Sequence, residues 1–138
     1  SNIASVQSDE STVTLVSSQR SSVMSNLRNM ANAVKACFEL AGAEVIQNDG
    51  YPAWKMNADS ELQRIAIQEY KKLFGHDPKV LGIHAGLECG LFSEKYPGID
   101  MISFGPTLRF VHTPDERLLI PTVQMVWDHM LAILREID

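Results

Sequence analysis

The chain has little cysteine, no long apolar run and no excess of positive charge. Its 138 residues include two cysteines without Cys-x-x-Cys spacing, which argues against a disulfide framework or a structural zinc knot. The net charge is −5 with scattered basic residues, so we expect no nucleic-acid partner. No apolar run is long enough to span a membrane, and the N-terminus lacks the pattern of a signal peptide. These absences predict a cytoplasmic protein without a membrane partner.

What is present is typical of a globular α/β chain. Hydrophobic residues make up 45% of the sequence and charged residues 21%. Apolar residues recur at helical spacing in four stretches: 23–41, 59–74, 87–94 and 121–137. Short, mostly apolar runs predict strands at 13–16, 43–46, 80–83 and 99–104. The order is strand-helix-strand, a hinge near 48–52, then helix-strand-helix-strand-helix, which predicts two structural units. The first unit is too small to bury both faces of its sheet.

Several residues mark where these helices begin and end. Ser60 and Gln63 fit a capping box, and Pro121 suits a first helical turn. Gly42 and Gly75 are C-terminal stops. The serine-rich segment 17–22 supplies caps for the first long helix.

Three other side chains are assigned by their place in a helix or turn. Cys37 is expected in the core, because it lies on an apolar helix face. His129 is expected on the polar side of the last helix, and His76 in a turn.

His112 is the candidate metal ligand. It lies in the loop 109–116, after a predicted buried strand and before the last helix. A neutral imidazole there suits a divalent metal, with a neighbouring carboxylate fixing its tautomer. One histidine is far short of the three or four ligands that zinc requires. The alternative is a loop histidine bonded to Asp115 or Glu116.

The turn 84–90 is a candidate binding element. His84 ends a predicted strand, and Gly86 allows close backbone approach to a ligand such as a substrate carboxylate. The alternative is a tight turn whose glycines serve packing only. Glu88 either receives a substrate ammonium or is a solvated acid in a first helical turn. A Cys89–His84 nucleophile pair is disfavoured, because no third group is indicated.

Arg20 is the remaining candidate. Beside a glutamine and a row of serines, its guanidinium suits bidentate binding of a carboxylate. The alternative is a solvated surface arginine.

Five blocks together resemble the C-terminal part of the aminoacyl-histidine dipeptidases, also called Xaa-His or cytosol non-specific dipeptidases, within the co-catalytic zinc metallopeptidases. The blocks are LAGA (40–43), GYPAW (50–54), IHAGLECGLF (83–92), DMISFGPT (100–107) and HTPDE (112–116). They occur in the family's order, and the resemblance covers essentially the whole chain.

The resemblance implies a fold and roles. Residues 1–53 would end an α+β lid, a dimerisation-type domain, and residues 54–138 would be the last segment of a catalytic α/β domain. His112 would be the family's last metal ligand, in a site of two zinc ions. The turn 84–90, with His84, Gly86 and Glu88, would line the substrate pocket. Arg20 would bind the substrate carboxylate, and a homo-oligomer is expected.

The chain departs from the family in one respect. The family's other ligands and its general base come from a His-x-Asp pair, an Asp, a Glu-Glu pair and a further Asp. Neither His-x-Asp nor Glu-Glu occurs here. We therefore expect a fragment of a dipeptide-hydrolysing enzyme that contains no catalytic residue and is inactive alone. The alternative is a non-catalytic α/β interaction or regulatory domain.

Overall fold

The structure is a computed structural model that describes residues 1–48, 50–83 and 87–137. Two compact units are present. Unit 1 comprises residues 1–56 and 82–98, and unit 2 comprises residues 57–81 and 99–138. The mixture of helices and small sheets agrees with the predicted α/β class. The division into a lid (1–53) and a catalytic segment (54–138) stays a prediction.

Unit 1 begins with an antiparallel hairpin of β1 (Asn2–Ser8) and β2 (Val13–Ser18). The register shifts between Ile3 and Ser5, which marks a β-bulge. In the turn, Asp9 Oδ1 accepts the backbone N–H groups of Ser11 and Thr12, both at 2.8 Å. These bonds lower the pKa of the Asp9 carboxyl. The sequence predicted only the second strand.

The remainder of unit 1 contains two helices. Helix α1 (Met24–Leu40) ends before Gly42, which has φ +84° as a C-terminal stop requires. Its N-cap is Val23, which has no side-chain cap, so the predicted serine cap is wrong. Ser21 instead accepts the N–H of Val23 itself, at 3.1 Å. Helix α3 (Glu88–Lys95) lies close to the predicted 87–94.

Unit 2 contains the helix whose ends the sequence predicted best. Helix α2 (Glu61–Phe74) begins after Ser60, whose hydroxyl accepts the N–H of Gln63 at 2.9 Å, and it ends at Gly75 with φ +76°. Asp100 adds a second contact at the same end, because its Oδ2 accepts the N–H of Leu62 at 2.9 Å. Burial raises the pKa of Asp100, but hydrogen bonds from Ser60 and nearby backbone amides outweigh it and lower the pKa overall.

Helix α4 (Pro121–Glu136) packs against α2, and its first residue is the predicted proline. The buried apolar residues there are Ala66 and Ile133. His129 is only 7% exposed, so its predicted polar position is wrong. The imidazole Nε2–H donates to the carbonyl oxygen of Ala66 at 2.8 Å. That bond offsets the cost of burying a polar ring.

A short hairpin precedes α4. Its strands are β3 (Leu108–Arg109) and β4 (Arg117–Leu118), which pair antiparallel. At its base the N–H of Thr107 donates to the hydroxyl of Thr122 at 2.9 Å, and that hydroxyl donates to the carbonyl of Leu119 at 2.6 Å. The first turn of α4 therefore holds the base of the hairpin.

Other sequence expectations were wrong. The segments 43–46, 80–83 and 99–104 are not strands. A strand requires a backbone partner, and within the described residues pairing is confined to β1–β2 and β3–β4. The buried strand predicted before His112 is therefore absent, and the short strand β3 that precedes His112 is exposed. Cys37 is exposed, because α1 buries none of its residues. None of the helices in the described ranges is long and apolar enough to cross a membrane.

Candidate functional site

Arg20 lies in an open cleft of unit 1. The cleft has a volume of about 350 Å³, and Arg20 follows β2 at its edge. The lining combines hydroxyl and amide side chains with two apolar ones and an aromatic segment: Ser17, Ser18, Gln19, Ser21, Leu27, Ala31, Asn48, Gly50, Tyr51 and Pro52. One guanidinium among neutral hydrogen-bonding groups suits a small anion such as a carboxylate.

The cleft is formed by segments far apart in the sequence. Residues 17–21 comprise the end of β2 and the three residues after it, whereas residues 50–52 belong to the segment predicted as a hinge. No helix or strand occurs at 43–48 or 50–56, so the hinge has the predicted irregular backbone in its described part. Asp49 lies outside the described residues.

Helix α3 approaches the same cleft through Pro52. Gly90 is buried in α3, and a side chain at this position would overlap the carbonyl oxygen of Pro52. Glycine therefore lets the helix backbone contact the Tyr51–Pro52 wall of the cleft directly. The structure thus brings two sequence-predicted elements, Arg20 and the helix that begins at Glu88, to one region of unit 1.

Glu88 is exposed in the first turn of α3, as the helix-acid interpretation predicts. Whether it also receives an ammonium group stays a prediction. His84 and Gly86 lie outside the described residues. Cys89 is partly buried, and burial raises the pKa of its thiol. A raised thiol pKa opposes a nucleophilic role at neutral pH.

His112 lies in unit 2, at the tip of the β3–β4 hairpin, and is exposed. Its φ is +65° and that of Phe110 is +55°, the two positive values among described residues other than glycine. The left-handed region costs an L-residue about 1–2 kcal/mol. Such a cost persists where neighbouring contacts hold the backbone, a pattern often seen at functional sites.

Glu116 supplies one of those contacts, because its Oε2 accepts the backbone N–H of His112 at 2.8 Å. The alternative to a metal ligand is a loop histidine bonded to Asp115 or Glu116. Among the described residues the carboxylate of Glu116 reaches the backbone of His112, and the imidazole bonds to neither acid.

Thr113 closes the loop between these residues. Its N–H and hydroxyl both donate to the carbonyl of Phe110, at 3.2 and 2.7 Å. Its hydroxyl in turn accepts the N–H of Asp115 at 3.3 Å. The loop backbone is thus fixed by its own side chains, and His112 is presented outward on it.

The described residues do not complete a metal centre. Nowhere in residues 1–48, 50–83 and 87–137 do three or more His, Cys, Asp or Glu side chains group as a metal site requires. An exposed imidazole on a fixed loop fits the role of one ligand in a site that other segments complete.

His129 is the residue of this region that sequence reasoning missed. It touches Tyr70 and Phe104, with ring centroids 5.3 and 5.0 Å apart. Phe104 begins the segment that leads through Thr107 to the hairpin of His112. Position 129 follows Val126 by three residues and precedes Ile133 by four, a helical spacing that places it on the apolar face.

The chain is similar to known dipeptidases. It is 41% identical over 99 residues to the cytosol non-specific dipeptidase of Escherichia coli (strain K12), an alignment that covers 72% of this chain and 20% of that protein. It also matches the crystal structure of aminoacylhistidine dipeptidase from Vibrio alginolyticus with a TM-score of 0.73 and 42% identity, covering 96% of this chain and 27% of that one. No family model matches. The resemblance inferred from the five sequence blocks is confirmed.

Proposed function

This chain is homologous to part of the aminoacylhistidine dipeptidases, and we propose that the protein it represents hydrolyses dipeptides, Xaa-His dipeptides among them. The chain spans 20% of the curated relative and 27% of the solved one, so the activity is that of a longer protein. The observation that carries the proposal is the match to a solved dipeptidase over 96% of this chain. A cytosolic location is proposed from the name of the Escherichia coli relative.

The proposed centre holds two zinc ions, to which this chain contributes His112. When bound, the ions polarise the scissile carbonyl and lower the pKa of a water molecule. The imidazole of His112 is exposed on a loop whose backbone is fixed by Thr113 and Glu116. A ligand on a fixed backbone loses less conformational freedom on binding than one on a mobile loop, which favours a ligand role. The other ligands and the general base are proposed to lie in segments outside these 138 residues.

Arg20 is proposed to bind the free carboxylate of the dipeptide. The cleft supplies the serine hydroxyls and the amide side chains of Gln19 and Asn48 as further hydrogen-bonding groups. Glu88, at the start of the helix that contacts this cleft wall, is proposed to meet the ammonium end of the substrate. His84 and Gly86 complete this proposed pocket lining.

We further propose that residues 1–53 end a lid domain, that residues 54–138 belong to the catalytic domain, and that the protein is a homo-oligomer. The exposed apolar side chains of the β1–β2 hairpin support the last point. Val6 and Val13 are 58% and 70% exposed there. Faces of this kind favour a partner surface.

The test is His112→Ala in the full-length protein, assayed by release of free histidine from Xaa-His dipeptides and by zinc content. We expect a loss of turnover well beyond tenfold, about 1.4 kcal/mol in the barrier, together with loss of bound zinc. His76→Ala is the matched control, because His76 is exposed in a turn of the same unit. Turnover within tenfold of the parent would show that His112 is not a ligand.

A second measurement addresses the activity itself. The 138-residue chain alone is expected to bind zinc weakly and to hydrolyse no dipeptide. If the full-length protein supplied with zinc also fails to hydrolyse every dipeptide tested, a non-catalytic interaction or regulatory role is the better explanation.

A further inference from the structure

The loop of the β3–β4 hairpin combines a costly backbone with an unusual acceptor. His112 has a left-handed φ of +65°, a conformation uncommon for residues other than glycine, although histidine adopts it more often than most. Its N–H donates to a side-chain carboxylate four residues later, Glu116 Oε2, at 2.8 Å. An oxygen acceptor at this point satisfies the backbone N–H and offsets part of the cost of the left-handed conformation.

The base of the hairpin is fixed independently of Glu116. Leu119 N–H donates to the carbonyl of Thr107 at 2.9 Å, and Thr107 N–H donates to the hydroxyl of Thr122. At the tip, Glu116 N–H donates to the carbonyl of Thr113 at 3.1 Å, which places its side chain back over the loop. Thr113 closes the turn around His112 through the Phe110 carbonyl, and the carboxylate of Glu116 adds the hydrogen bond accepted from the N–H of His112 itself.

We propose that Glu116 is a positioning residue for His112: by accepting its backbone N–H, it holds the left-handed conformation that sets the direction in which the imidazole leaves the loop. The inference rests on the proposed function, in which that imidazole is a metal ligand. Glu116 acts through the backbone, so the property that matters is an oxygen acceptor at this point rather than negative charge.

Two substitutions separate the acceptor from the charge. Glu116→Gln keeps an oxygen acceptor of the same length and removes the charge, whereas Glu116→Ala removes both. Asp115→Asn is the matched charge control, because it removes one negative charge from the same loop. Only the backbone of Asp115 hydrogen-bonds in the described loop, where its N–H donates to Thr113.

The experiment uses the full-length protein and three readouts: hydrogen exchange of the 110–116 amides in the zinc-free protein, zinc affinity, and kcat and KM for an Xaa-His dipeptide. For Glu116→Ala we expect faster exchange at the His112 amide and a tenfold to hundredfold loss of zinc affinity, the range found when a partner of a metal ligand is removed. kcat should fall with little change in KM. Glu116→Gln should keep amide exchange, zinc affinity and kcat close to those of the parent, and Asp115→Asn should match the parent in all three.

The outcomes distinguish this proposal from the proposed function. If His112→Ala loses zinc but Glu116→Ala retains the parent exchange rate and affinity, the positioning role is wrong while the ligand role survives. If Glu116→Gln loses as much zinc affinity and kcat as Glu116→Ala, the negative charge matters rather than the geometry of the acceptor, and the proposal is overturned. If His112→Ala itself keeps zinc and turnover, the proposed function fails first.

Discussion

Replacing His129 tests the packing that supports unit 2. His129→Ala removes the Nε2–H donor to Ala66 and leaves a space between the rings of Tyr70 and Phe104. The lost hydrogen bond is worth about 1 kcal/mol. Buried aromatic side chains cost about 3–5 kcal/mol when truncated to alanine, and the smaller, more polar imidazole should fall at or below that range. We expect His129→Ala to lower the free energy of unfolding by about 2–4 kcal/mol.

His129→Phe separates the contribution of the hydrogen bond from that of the ring. Phenylalanine keeps a ring against both aromatic neighbours and removes only the donor. The carbonyl of Ala66 retains its helical partner, the N–H four residues later, so no buried acceptor is left unpaired. The expected cost is therefore about 1 kcal/mol or less.

Urea unfolding followed by far-UV circular dichroism measures both variants against the parent. Gln124→Ala, on the exposed side of α4, is the control and should lie within about 0.5 kcal/mol of the parent. An alanine variant indistinguishable from this control would show that His129 is not buried between α2 and α4. If alanine and phenylalanine lower the free energy of unfolding equally, the hydrogen bond and not the ring accounts for the stabilisation by His129.

Two further predictions concern unit 1. Gly90→Ala should lower the free energy of unfolding by about 1–3 kcal/mol in a denaturant titration, because a methyl group would overlap the Pro52 carbonyl. The higher helix propensity of alanine offsets part of that loss. Glu94→Ala, exposed in the same helix, should be neutral, and a stabilised Gly90→Ala would refute the close approach. Arg20→Lys in the full-length protein should raise KM for dipeptides, because an ammonium cannot bind a carboxylate bidentately. Unchanged KM and kcat would make Arg20 a solvated surface residue.

Local signals predicted the helices well. Ser60, Gly75 and Pro121 act through hydrogen bonds and dihedral angles within one helical turn of their own position. Their effect can therefore be predicted from the residues next to them in the sequence. The five sequence blocks likewise identified the dipeptidase homology, because they are contiguous in the chain. The roles of Arg20, Glu88 and His112 stay predictions.

The strands and the burial of side chains could not be predicted from neighbouring residues in this way. The segments 43–46, 80–83 and 99–104 have strand-like composition but no backbone partner among the described residues, and pairing is a property of two segments rather than one.

Burial depends in the same way on which surface covers a helix. Cys37 lies on an apolar face of a helix that buries nothing, whereas His129, expected at the surface, is covered by α2.

The sequence by itself determined both ends of α2, the start of α4 and the C-terminal stop of α1, because capping and helical spacing act over three or four residues. Only the tertiary structure decided that Gly90 lies against the carbonyl of Pro52, that Glu116 accepts the backbone N–H of His112, and that His129 is buried. The physical reason is that each of these depends on the position of a second group in space, which hydrophobic pattern and local propensity do not specify.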